Sequence, residues 1–229
     1  PVEFGNRSFH PYIQTDYSES QLELITPPLS TIKESYEWLT ALHDVALQTL
    51  PSNEAIWPIS MPMVLPDESV IPIAKLDNKD DVAYREILAE KYGKKKQMIS
   101  GIHYNFELDD QLVALLFDCQ TDYSNKESFK SMLYLKLTKN FLRYRWFLTY
   151  LLGASPTVDK SFFANQKIPQ DYVRSIRSSQ YGYVNPSEVA VSFHSIEDYV
   201  YSLQDMVEKG FLSEEKEFYS AVRFRGTNK

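Results

Sequence analysis

Three short stretches place carboxylates, an imidazole and an arginine where strand periodicity would gather them on single faces. In Gln21-Leu22-Glu23-Leu24-Ile25, Glu23 shares a face with Gln21 and opposes Leu22 and Leu24. From Ile99 to Leu108 the alternation puts Gly101, His103, Asn105 and Glu107 on one face and Ile102, Tyr104, Phe106 and Leu108 on the other. Near the end of the chain Glu217, Tyr219 and Arg223 oppose Phe218, Ser220 and Val222. The plain reason for such polarity is that antiparallel sheets solvate one side. The chemical reason is a cation site. Carboxylates with one imidazole and no thiolate suit a hard divalent ion such as Mg²⁺, and the nitrogen also admits Mn²⁺. Such a site beside Arg177 and several tyrosines would suit transfer of a phosphoryl group onto a carboxylate, with metal and arginine sharing the developing charge. No two of these residues form a short metal motif, so spacing leaves both readings open.

The elements that must position these residues are legible from caps and periods. Thr31-Ile32-Lys33-Glu34 has capping-box form, and Ile32, Tyr36, Leu39, Leu42 and Ala46 follow at helical spacing, predicting a helix to about Leu50. Trp57-Pro58-Ile59-Ser60-Met61-Pro62 reads as a loop with at most an edge strand. A helix is predicted over 80–92, closed by Gly93, and the strand over 99–108 has the cleanest alternation in the chain. Phe129, Leu133, Leu137, Phe141 and Leu148 predict a long helix over 126–152, ended by Gly153-Ala154-Ser155-Pro156. Its aromatic residues, from Tyr134 to Tyr150, are expected to pack in a core. The stretch 161–185 lacks periodicity and is expected to form loops over a site. A last helix runs from Ile196 through Val207 to Gly210, and a last strand covers 215–224. Strands and helices without a regular βαβ rhythm give an α+β fold with a largely antiparallel sheet.

Composition narrows the function classes. The chain has 229 residues, 43% of them hydrophobic and 14% aromatic, which argues against disorder. With 24 basic against 31 acidic side chains, its net charge of −7 argues against a general nucleic-acid binder. The basic run Lys94-Lys95-Lys96 reads as a solvated turn. One cysteine, Cys119, can form neither an internal disulfide nor a thiolate cage and is expected to pack in its hydrophobic segment. No stretch has the length of a membrane span and no signal peptide opens the chain, so a soluble, cytoplasmic protein is expected. Pro1 in place of an initiator methionine suggests a piece of something longer.

The stretch from His10 to Pro27, HPYIQTDYSESQLELITP, closely resembles a signature of glutamate–cysteine ligases. Similar matches continue at Trp57 to Pro62, Gln97 to Phe106, Gly153 to Pro156, Arg177 to Asn185 and Glu217 to Arg223, in the right order and across nearly the whole chain. The details look most like the ligase half of bifunctional glutathione-synthesising enzymes, in which an ATP-grasp glutathione synthetase domain follows. The resemblance implies ATP-dependent joining of the L-glutamate γ-carboxylate to the L-cysteine amine through γ-glutamyl phosphate. It implies the glutamine synthetase-like carboxylate–amine ligase fold, a curved, largely antiparallel sheet with packed helices, and leaves room for a homodimer. Metal positions would be Asp16, Glu23, His103 and Glu217. Gln97, Ile99 and Asn105 would form the glutamate pocket, Arg177 would face the transferring phosphoryl group, and Tyr17, Tyr84 and Tyr183 would line the cysteine pocket. Departures are informative. The family's early carboxylate-bearing strand would lie before Pro1, much of its nucleotide site would lie after the last strand, and Ala221 stands where a proline is common. Residues 1–229 are therefore expected to be a partial catalytic domain, inactive alone. The other readings are a carboxylate–amine ligase with a different amine acceptor and a non-catalytic or regulatory remnant.

Overall fold

The computed structural model describes residues 10–153, 155–163, 173–182 and 191–208. They fall into two units, one drawn from 1–101 and 155–182 and the other from 102–154 and 183–229.

The first unit begins with a hairpin. Strands β1 (Ile13–Thr15) and β2 (Leu22–Leu24) are antiparallel, with Gln14 opposite Glu23. Beyond the named strands Asp16 N donates to Gln21 O at 3.1 Å and Ile25 N to Tyr12 O at 2.8 Å. Helix α1 (Ile32–Thr49) starts on the expected capping box: Thr31 Oγ1 accepts from Glu34 N, and Glu34 Oε2 accepts from Thr31 N. Helix α2 (Lys79–Tyr92) is capped by Asn78 and stopped at Gly93, whose φ of +80° a side chain would oppose. A short helix, α3 (Lys94–Gln97), follows. The core gathers Met61, Ile99, Phe162, Phe163 and Ile176, with Leu65, Val158, Val173 and Tyr181 packed around it.

The lysine run is not a solvated turn. Lys95 is only 8% exposed, and its Nζ donates to the carbonyl of Ser161 at 2.6 Å. Lys94 Nζ donates to Ile71 O at 2.9 Å. The long stems lie on the protein while each ammonium finds a carbonyl, which tethers α3 to two distant segments. Lys95→Ala should therefore cost about 1–3 kcal/mol, because it leaves a carbonyl unpaired and opens a gap. Urea denaturation of the wild type and variant checks this.

In the second unit α4 (Asp110–Asp118) and α5 (Lys126–Leu152) are joined through Phe117 and Phe129, whose ring centres lie 5.7 Å apart. Lys130 holds both Glu107 and Asp110 at 3.2 Å, and those hydrogen bonds raise its ammonium above the usual lysine range. Tyr134 Oη accepts from Leu108 N at 2.8 Å. Helix α6 (Ile196–Glu208) opens on Ser195, whose hydroxyl accepts from Asp198 N.

Several expectations need correction. Ile99 to Leu108 lies in no strand. Alternation supplies a side-chain pattern, but a strand also needs a neighbour's N–H and C=O groups, and no described residue forms a ladder with this stretch. Ile102 is accordingly 93% exposed. The only sheet among the described residues is two-stranded, and the rest of their regular structure is helical; the last strand, over 215–224, lies outside them. The aromatic side chains Phe141, Tyr144, Trp146, Phe147 and Tyr150 of α5 are exposed rather than packed. A helix of 27 residues is about 40 Å long, about three times the length of the nine-residue α4, whose Phe117 meets it at Phe129 in its first turn. Cys119 is exposed too, because α4 ends at Asp118 and leaves the thiol at the cap. No helix among the described residues is long and apolar enough to cross a membrane.

Candidate functional site

Residues 97–101 form the hub of the first unit. Ser100 is clamped to the Trp57–Pro62 segment at both ends of its peptide: its N–H donates to Ser60 O at 2.9 Å and its carbonyl accepts from Ser60 Oγ at 2.6 Å. Gln97 is buried, and its carbonyl accepts from Gln21 Nε2 at 3.1 Å while Gln21 Oε1 accepts from Ser18 N. One glutamine side chain thus closes the hairpin turn and ties it to the hub. Ile99 is buried in the core, and its carbonyl accepts from Arg177 Nη1 at 3.4 Å.

Arg177 sits on a turn held by several hydrogen bonds. Ile176 N donates to Ser155 O at 3.2 Å. Ile176 O accepts from both the N–H and the hydroxyl of Ser179. Gly182 N donates to Ser179 O at 2.9 Å, and a Cβ at Gly182 would overlap the carbonyl oxygens of Arg177 and Ile176. Ser155 has a φ of +60°, costly for a residue with a side chain. Its hydroxyl is buried with no hydrogen-bond partner among the described residues. The strained residue holds the turn that carries the arginine.

The hairpin presents the acidic groups. Asp16 lies one residue beyond β1, on the rung opposite Gln21, so Asp16 and Glu23 fall on one face, the face from which Gln21 reaches Gln97. Asp16 is exposed and Glu23 half-buried. Helix α2 is fastened to this turn by Arg85, whose Nε donates to Asp16 O at 2.9 Å, and the residue just before it on α2 is Tyr84. Tyr17 is buried, with its carbonyl accepting from Ala74 N. Two carboxylates on one face, with oxygen donors only, are chemically suited to a hard divalent cation. Among the described residues no three His, Cys, Asp or Glu side chains cluster as a metal site.

The first unit therefore holds Asp16, Tyr17, Glu23, Tyr84, Gln97, Ile99 and Arg177. His103 and Asn105 belong to the second unit, in the exposed stretch after the hub. Tyr183 and Glu217 lie outside the described residues. Three small residues, Gly101, Ser155 and Gly182, had no assigned role although all lie within the motif segments; the scarcity of glycine, seven in 229 residues, was the signal.

This architecture has the fold of glutathione-synthesising ligases. It aligns with the crystal structure of a bifunctional glutathione synthetase from Pasteurella multocida at a TM-score of 0.83 and 49% identity, over 98% of this chain and 31% of that one. It aligns with the glutamate–cysteine ligase of Francisella tularensis, solved in complex with AMP, at a TM-score of 0.76 and 29% identity, over 91% of this chain and 43% of that one. Residues 1–229 match the glutamate–cysteine ligase family, and the chain belongs to it. The glutathione biosynthesis bifunctional protein of Mannheimia succiniciproducens is 58% identical over 100% of this chain, and that of Enterococcus faecalis 54% identical over 99%. The chain spans about 30% of the length of these relatives.

Proposed function

We propose that this chain carries part of the catalytic site of an ATP-dependent glutamate–cysteine ligase, the enzyme of the first step of glutathione biosynthesis. The observation that carries the reading is the reach of Arg177 to the Ile99 carbonyl from a hydrogen-bonded turn, in the same unit as the Asp16 and Glu23 face. An arginine carried on a hydrogen-bonded turn and reaching the Ile99 carbonyl is placed to meet a phosphoryl group.

In the proposed reaction an oxygen of the glutamate γ-carboxylate attacks the γ-phosphorus of ATP, and the bond to ADP breaks. Arg177 stabilises the charge on the phosphoryl oxygens and keeps it in line. The neutral amine of cysteine then attacks the γ-carbonyl carbon of γ-glutamyl phosphate, and phosphate leaves with the electrons of the broken C–O bond and takes up the proton that the nitrogen loses. Gln97, Ile99 and Asn105 hold glutamate; Tyr17, Tyr84 and Tyr183 surround cysteine, whose small polarizable side chain suits aromatic faces and phenol hydrogen bonds. Mg²⁺ or Mn²⁺ would be held by Asp16, Glu23, His103 and Glu217 and would supply charge neutralisation of the phosphates. In the whole protein the sheet is the curved antiparallel sheet of the glutamine synthetase-like ligases, and an ATP-grasp domain uses the dipeptide product.

The test is ADP release by the full-length protein with glutamate and a panel of amines. Release that requires both glutamate and cysteine is expected. Release with glutamate and a different amine would move the reading to another carboxylate–amine ligase, and no nucleotide turnover at all would leave a non-catalytic module.

A further inference from the structure

Gly101 faces the guanidinium of Arg177 so closely that no side chain fits between them. A Cβ at Gly101 would lie 2.5 Å from Arg177 Cζ, 2.7 Å from Nη2 and 2.8 Å from Nε, closer than real Cβ atoms come. All three of the nearest atoms belong to that one guanidinium. The backbone of Gly101 does not need a glycine: among the described residues Gly93 is the one glycine with positive φ. The position therefore requires glycine for the sake of the arginine and not for the turn of the chain. Gly182 differs, because the atoms a Cβ would meet there are backbone.

We infer that Gly101 is a positioning residue that seats Arg177 for phosphoryl transfer. The inference rests on the role proposed above for Arg177. Its physical content is a separation of stability from activity. The nearest atoms that a methyl group at 101 meets are the far end of a long side chain and not backbone, so the guanidinium is displaced while the chain path stays. The guanidinium then leaves the Ile99 carbonyl and the place where charge develops, and a displacement of about 1 Å is enough to cost roughly 10²-fold in rate. The space left by the missing side chain at Gly101 is filled by the guanidinium, whose Nη1 reaches the Ile99 carbonyl.

The experiment compares Gly101→Ala, Arg177→Ala and the double variant in the full-length protein, by thermal melting and steady-state ADP release. Gly101→Ala is expected to keep the wild-type melting temperature and the KM for cysteine while kcat falls about 10²-fold. Added to Arg177→Ala, it is expected to change nothing further, because the group it displaces has gone. Wild-type kcat in Gly101→Ala, a melting temperature that falls with kcat, or a second large loss in the double variant would each overturn the inference. If Arg177→Ala alone keeps wild-type kcat, the role of Arg177 itself is wrong and the inference falls with it. That result is distinct from an active Gly101→Ala beside an inactive Arg177→Ala, which rejects only the positioning role.

Discussion

The Arg177→Ala variant of the full-length protein is expected to lose about 10²–10³ in kcat, the usual cost of removing one well-placed electrostatic donor. The loss should appear in kcat more than in the KM for cysteine, because the guanidinium is assigned to the phosphoryl group and not to the amine acceptor. Arg177→Lys should recover only part of it. A lysine ammonium is a compact charge without the planar fork that can span two phosphoryl oxygens. The turn itself should survive, since it is held by backbone and serine bonds that the substitution leaves intact. Steady-state ADP release at saturating glutamate, with cysteine varied, measures the split. An unchanged kcat would remove Arg177 from the phosphoryl site.

What could be read in the sequence was whatever is written locally. The Thr31–Glu34 capping box and the Gly93 and Gly153 caps mark helix ends within a few residues of themselves, and α1, α2 and α5 lie close to their predicted bounds. The short strand around Glu23 was legible too. Its partner β1 and helix α4 were missed, although Asp109 before Leu112 and Val113 is an N-cap signal, with its carboxylate accepting from Gln111 and Leu112 N. The apolar/polar alternation up to Leu108 runs directly into that cap and masks it. Pairing over long separations is where pattern fails. Nothing in Lys94-Lys95-Lys96 announces the carbonyl of Ser161, and nothing in Ser60 announces Ser100. The roles of the site residues came from resemblance to a family, whereas the steric meaning of Gly101 required three-dimensional distances. The same limit explains α5: its period predicts a helix, but no local signal says what covers its later turns.

Asp16→Asn is expected to weaken the divalent-cation dependence of the full-length enzyme by at least about 10–100-fold, since even indirect partners of a metal carry that much. The substitution is informative because it is nearly silent structurally. Asp16 is exposed, its contacts with Gln21 and Arg85 run through its backbone, and an amide has the same shape as the carboxylate it replaces. Exposed substitutions of this kind change stability by only about 0.5 kcal/mol or less. What disappears is one negative charge on the hairpin face shared with Glu23, and hard cations depend on such charge for affinity. A Mg²⁺ titration of ADP release should therefore shift to higher concentration, with much of kcat restored at saturation. Glu23→Gln should shift the titration in the same direction, and both variants together by more than either alone. A titration curve for Asp16→Asn that overlays the wild type would take Asp16 out of the metal site and leave its carboxylate as solvated surface.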